Sequence, residues 1–157
     1  MMEIAIDGTA ASGKGTLGKN LSVKYGFPYL DTGILYRKVA HELVKSNIKN
    51  SENLETYCCN FAKNLNLKEF NNKNLRTEDI AKLASKIATF SHLRKILNNK
   101  QKEFNNFNKK KFGGCILDGR DIGTTILPNA DFKFFITASL EVRAKRRLLE
   151  KNISFLH

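Results

Sequence analysis

Gly8-Thr9-Ala10-Ala11-Ser12-Gly13-Lys14-Gly15-Thr16 gathers glycines, hydroxyls and a lysine into one short stretch. Glycines let a backbone curl until successive N–H groups converge on an anion. Lys14 adds a mobile cation for β- and γ-phosphates, and Thr16 a hydroxyl near those phosphates and a metal such as Mg²⁺. These parts make a phosphate-binding loop only if a strand precedes them and a helix follows. The flanks meet that condition. Ile4-Ala5-Ile6 is a short apolar run, and Leu17-Gly18-Lys19-Asn20-Leu21-Ser22-Val23 is compatible with a helix. The positive end of that helix would add to the field on the anion.

Two further stretches could do chemistry. Leu30-Asp31-Thr32-Gly33-Ile34-Leu35-Tyr36-Arg37 sets an acid, a hydroxyl and a guanidinium at the end of a second apolar run. Alone, it can also be read as a capped helix with an incidental surface arginine. Asp118-Gly119-Arg120-Asp121-Ile122-Gly123-Thr124 is a charge-dense turn whose glycines allow close approach of the backbone to a ligand. It could also simply hold its own Arg–Asp pair. Arg76-Thr77, Ser85 and Arg94 are spaced along two helical patterns and, taken alone, are ordinary surface residues.

The elements that must position these groups alternate between strand and helix. Apolar runs predict strands at Glu3 to Asp7, Pro28 to Asp31, Cys115 to Asp118 and Ala130 to Thr137. Helices are predicted over Lys14 to Tyr25, stopped by Gly26 and Pro28, and over Ile34 to Ser46 and Leu54 to Leu67. Thr77 reads as an N-cap, with Glu78 and Asp79 in the first turn and Ile80, Leu83, Ala84, Ile87 and Ala88 as the inward face. Further helices cover about Leu93 to Phe104 and Leu140 to Lys151. Lys68 to Asn74 and the Asn/Lys-rich stretch through Lys111 are expected as loops. Such alternation predicts right-handed crossovers and a parallel sheet covered on both faces. Ligands then bind beyond the carboxyl ends of the strands, where the chemistry-bearing stretches fall.

Composition sets the bounds. The 157 residues are one domain by length, without a run of about 20 apolar residues that could span a membrane. The first strand starts too early for a signal peptide, so a cytoplasmic protein is expected. The cysteines, Cys58, Cys59 and Cys115, lack metal-ligand spacing and read as free thiols. The net charge of +12 admits nucleic-acid binding, but no aromatic-rich strand or recognition helix accompanies it. Holding two phosphorylated substrates, on a background rich in Lys and Asn, accounts for it better.

The G-K-G-T ending, with its hydroxyl one residue later than in G-K-[ST], is typical of kinases acting on nucleoside monophosphates. The ordered set D-G-T-A-A-S-G-K-G-T, L-D-T-G-I-L-Y-R, A-S-K-I-A-T-F-S-H-L-R and L-D-G-R-D-I-G-T resembles the bacterial cytidylate kinase family from Ile4 to about Leu149. The resemblance implies a P-loop NTPase fold, a three-layer α/β/α sandwich with a parallel sheet, a helical monophosphate-binding insert and a lid. The implied boundaries are a core over about 1–31 and 112–142, an insert over about 32–111, and a lid beginning at about 143–157. It implies ATP held by Gly8 to Thr16, and the acceptor phosphate by Arg37 and Arg120. Ser85, Arg94 and Asp121 would face the cytosine, with Thr32 nearby. Cytosine presents an amino donor beside two acceptors, which suits a carboxylate or hydroxyl on one side and a guanidinium on the other. Arg143, Arg146 and Arg147 match the basic start of the lid over the ATP phosphates.

The implied reaction is in-line transfer from ATP to CMP or dCMP, with Lys14, Mg²⁺, Arg37 and Arg120 neutralising charge and no general base required. Kinases for AMP, UMP or shikimate share the loop but not the Ser85, Arg94 and Asp121 set. A non-catalytic nucleotide-binding remnant is the remaining rival. The family's small β-insert near Leu67 to Leu75 is expected to be trimmed here. Beyond His157 the family continues through the rest of the lid, an R-D-x-x-D-x-x-R helix and a last strand and helix. A truncated lid, an unpaired sheet edge, uncovered apolar surface and slow turnover are therefore expected, with the full-length form a monomer.

Overall fold

A computed structural model of the chain describes residues 1–48, 53–67 and 73–155. In chain order the described elements are β1 (Met2–Gly8), α1 (Lys14–Tyr25), β2 (Tyr29–Asp31), α2 (Gly33–Lys45), α3 (Leu54–Lys63), α4 (Glu78–Ile87), α5 (Ser91–Phe112), β3 (Gly114–Gly119), β4 (Phe132–Ile136) and α6 (Leu140–Phe155). A 3₁₀ turn covers Lys73–Arg76 and a π turn Ile122–Ile126. The strands form one four-stranded parallel sheet in the order β2-β3-β1-β4. β1 runs between β3 and β4, with Ile4 opposite both Ile116 and Phe132.

The central strands are continuous apolar runs because both of their faces are covered. Ile4, Ala5, Ile6, Ile116 and Leu117 are essentially buried, and Leu17, Leu21, Phe27 and Tyr29 pack on this core. The expected cover stops at the edge of the sheet. Phe132, Phe134 and Phe135 of β4 are 48%, 40% and 69% exposed. A strand paired on one side only, with little packed on its faces, leaves its side chains in water whatever their polarity. α1 ends as its sequence requires, at Gly26 in the left-handed region (φ 69°), whose N–H donates to the Ser22 carbonyl.

By its internal contacts the chain divides into one unit of residues 1–30 and 107–157 and another of 31–106. The core of the second unit is helical. Leu35, Val39 and Leu43 of α2 pack with Cys58 and Ala62 of α3, Ile80, Ala84 and Ile87 of α4, and Leu93 and Leu97 of α5. The predicted cap of α4 is present, the Ile80 N–H donating to Thr77 Oγ1 at 3.4 Å. Of the stretch expected as a loop over Lys68 to Asn74, residues 68–72 lie outside those described.

The predicted break after Phe104 is corrected, because α5 continues to Phe112. Asn and Lys are only mildly unfavourable to a helix, and here they have helical work to do. Gln101, Asn105 and Asn108, spaced i, i+4, i+7, turn inward and are buried. Lys109 Nζ pairs with Glu3 at 2.5 Å, and Lys110 and Lys111 lie in the last turn, where cations favour the helix dipole. Gly113, at φ 78°, then ends it. The three cysteines are free and buried. Burial pushes the Cys58 thiol up to about 11 and that of Cys115 up to about 12, and it raises Cys59 as well.

Candidate active site

The loop after β1 depends on what a glycine can tolerate. A Cβ on Gly8 would lie 2.2 Å from the Ile136 carbonyl oxygen, so β4 can run this close only past a residue without a side chain. Ala11 and Gly13 take the left-handed conformation, at φ 57° and 102°, which folds the loop back to start α1. Gly13 occupies the N-cap position and has no side chain to cap with, so the N–H groups opening α1 remain directed into the loop. Together with the helix dipole they make an arrangement suited to an anion. The hydroxyls of Thr9 and Ser12 are buried and have no hydrogen-bond partner among the described residues, and Ser12 as a whole is 4% exposed. A cradle of backbone donors, two orphaned hydroxyls and the half-buried Lys14 fits a phosphate group well. The exposed hydroxyl of Thr16 fits Mg²⁺, which takes few protein ligands when phosphates supply the rest.

α6 brings Arg146 to this loop. Arg146 donates from one guanidinium nitrogen to the carbonyls of Ala11, at 3.2 Å, and Ser12, at 2.8 Å. The same nitrogen would lie 3.3 Å from a Cβ on Gly13, so the missing side chain gives it room. Arg143 precedes Arg146 by three residues and Arg147 by four, so it shares a helix face with each, and Arg143 and Arg147 are half-buried. Arg143 Nε is buried without a hydrogen-bond partner among the described residues.

Two acids beneath the loop stand inside the sequence motifs but were given no role of their own by sequence reasoning. Asp118, 1% exposed at the end of β3, accepts a hydrogen bond from the Tyr29 hydroxyl at 2.7 Å. A Cβ on Gly15 would stand 3.5 Å from both of these oxygens. Asp7, 8% exposed, accepts from the backbone N–H groups of Ile122 and Gly123, each at 2.8 Å. The available signal was a carboxylate closing an otherwise apolar strand, since burying a charge is costly unless it is paired or hydrogen-bonded. Arg120 and Asp121 ride on the turn that Asp7 holds, Arg120 exposed and Asp121 half-buried.

The other predicted residues belong to the second unit. Thr32, buried and directly before α2, makes no side-chain cap, although the Leu35 N–H reaches its carbonyl at 3.2 Å. Arg37 donates to the Leu75 carbonyl at 3.0 Å, so part of its guanidinium ties α2 to the 3₁₀ turn. Ser85 is exposed on α4 and its hydroxyl donates to the Ala81 carbonyl at 3.0 Å. Arg94 of α5 donates to the Ala88 carbonyl at 3.4 Å. Within the first unit the structure thus joins the loop to Arg146, and it sets Arg120 and Asp121 on one turn. In the second unit it gives each of Arg37, Ser85 and Arg94 a backbone carbonyl as partner, local for Ser85 and Arg94 and on the 3₁₀ turn for Arg37.

Comparison with known proteins matches residues 4–156 to the family model described as Cytidylate kinase. A cytidylate kinase of Bartonella bacilliformis is 48% identical over 147 residues, covering 94% of this chain and 66% of the relative. That of Methylocella silvestris is 46% identical, with 95% and 66% covered, and that of Bradyrhizobium diazoefficiens 43%, with 95% and 68%. The chain therefore spans about two thirds of the length of these curated relatives, and the matched stretch takes in the phosphate loop, the turn after β3 and α6. By sequence and by fold, the chain belongs to the cytidylate kinase family.

Proposed function

We propose that this chain carries the nucleotide-binding core of an enzyme that transfers the γ-phosphoryl group of ATP to CMP or dCMP. The observation that carries the reading is the loop from Gly8 to Gly13, which holds two buried hydroxyls without a partner among the described residues and leads directly into Lys14 and the uncapped N-terminus of α1. Family membership supplies the acceptor. Backbone N–H groups of the loop and Lys14 would hold the triphosphate, with Thr16 directing its hydroxyl at Mg²⁺. Bound there, the ion would neutralise phosphate charge. Arg143, Arg146 and Arg147 would add positive charge on the donor side. For Arg146 this means exchanging the Ala11 and Ser12 carbonyls for phosphate oxygens, a stronger acceptor for a guanidinium.

Arg120 and Asp121 are proposed to hold the acceptor's phosphate and base. The likeness of the family motifs alone gives Thr32, Arg37, Ser85 and Arg94 acceptor roles too. A guanidinium has five donors, so the bond from Arg37 to Leu75 is compatible with a ligand role. The chemistry needs alignment and charge neutralisation, and the acceptor phosphate, already ionised, needs no base. The unit 31–106 is proposed as the monophosphate-binding region, α6 as the start of the lid, and the cytoplasm as the compartment. An ADP-release assay with CMP, dCMP, UMP and AMP tests the reading. CMP and dCMP should give the highest kcat/KM, and equal use of all four acceptors would refute it.

A further inference from the structure

Asp7 lies in β1 one residue before the strand ends, and its carboxylate uses both oxygens on the turn after β3. The Ile122 N–H donates to Oδ1 and the Gly123 N–H to Oδ2, each at 2.8 Å. Two consecutive backbone donors on one buried carboxylate make a geometrically strict, charge-assisted clamp. The clamped segment is a π turn, in which Leu127 N–H reaches the Ile122 carbonyl at 2.7 Å and Ile126 N–H the Asp121 carbonyl at 3.3 Å. The first N–H groups of such a turn have no acceptor inside it. The residue placed to cap them is Asp121, and its side chain makes no cap. Asp7 does so instead, from a neighbouring strand.

The turn is held elsewhere too. Lys133 of β4 lays its stem against Gly123, where a Cβ would stand 3.2 Å from Cδ, and its ammonium donates to the Pro128 carbonyl. A Cβ on Gly123 would also meet Asp7 Oδ2 at 3.3 Å, so a glycine there lets the carboxylate close in. These contacts leave little freedom to the segment bearing Arg120 and Asp121.

We propose that Asp7 is a positioning residue for the acceptor: by capping this turn it fixes Arg120 and Asp121, and so sets affinity for the monophosphate rather than for ATP. The inference rests on the functional reading above. Asp7→Asn is the sharpest probe, because its amide can accept from one N–H but must turn a donor toward the other. Amide exchange at Ile122 and Gly123 should accelerate about tenfold or more as the turn opens more often. The KM for CMP should rise about tenfold or more, with kcat falling in step, while the KM for ATP stays within about twofold. Gly123→Ala, which keeps the charge but crowds the clamp, should move the same two parameters in the same direction, and it decides the matter if Asp7→Asn does not fold. An unchanged KM for CMP, or equal rises for CMP and ATP, would overturn the proposal. A parent chain that phosphorylates no monophosphate would overturn the functional reading and the acceptor role together. The exchange rates from the same samples would then still report separately whether Asp7 holds the turn.

Discussion

Lys14 opens α1 half-buried, beside a loop whose shape is fixed by backbone rather than by this side chain. Lys14→Ala should therefore lower phosphoryl transfer at least about 100-fold while leaving the melting temperature nearly unchanged. A rate within a few-fold of the parent would count against the assigned role. For the base, Asp121→Ala should shrink the preference for CMP over UMP by about tenfold or more, since hydrogen bonds to charged groups contribute roughly 1.5–3 kcal/mol. The cysteines allow a pH test unconnected with catalysis. Their thiols ionise less readily when folded, with Cys58 raised from 9.0 to about 11 and Cys115 to about 12. Below the unfolded value the thiols are neutral in both states and this contribution is fully present. As pH rises from about 9 toward 11–12, the unfolded chain ionises first and stability is lost. Melting temperature should fall across that window, and less steeply in Cys115→Ala. At this scale the strand, glycine turn and helix around Gly8 to Thr16 were legible, since their signals are local. Asp7 and Asp118 were not, because what they hold lies more than a hundred residues away for Asp7 and nearly ninety for Asp118.

The elements depend on glycines in unequal ways. A Cβ on Gly8 meets the Ile136 backbone at 2.2 Å, whereas one on Gly26 meets nothing within 4 Å and suffers only from its φ of 69°. Gly8→Ala should cost about 2–3 kcal/mol or more, by forcing β1 and β4 apart. Gly26→Ala should cost about 1 kcal/mol. Denaturant unfolding of both variants checks the ranking, and equal losses would contradict it. Strands β1 and β3 and the caps at Gly26 and Thr77 could be read directly from sequence, because short apolar runs and capping residues act on their neighbours. The end of α5 could not. Asn105-Asn106-Phe107-Asn108-Lys109-Lys110-Lys111 has the composition of a loop, and its helical reason is the inward row of Gln101, Asn105 and Asn108 with the Lys109–Glu3 pair. Both are tertiary facts.

The whole molecule sets a strong net charge against an exposed apolar edge. Phe132, Phe134 and Phe135 lie uncovered on β4, and Leu140, Val142, Leu148 and Leu149 are exposed on α6. An edge strand of this kind is prone to self-pairing. A net charge of +12 opposes it through repulsion that salt screens, since the Debye length falls from about 10 Å at 0.1 M to about 3 Å at 1 M. Sedimentation should therefore show self-association growing with salt and suppressed by Phe135→Lys. A single monomeric species at every salt concentration would contradict this. The sequence motifs alone pointed to the family, because four blocks in order are far more specific than one. The bare edge was half-visible. Phe132-Lys133-Phe134-Phe135-Ile136 reads as a buried strand, and whether it is buried depends on what packs against it.

The loop after β1 and the turn that Asp7 holds are proposed to serve transfer from ATP to a cytidine monophosphate. The most direct test is to incubate the chain with γ-labelled ATP and an equimolar mixture of CMP, UMP and AMP, then separate the diphosphates. Label should appear chiefly in CDP, and in no product above background with Lys14→Ala. Label spread evenly over the three diphosphates, or CDP formed equally well by the Lys14→Ala chain, would contradict it.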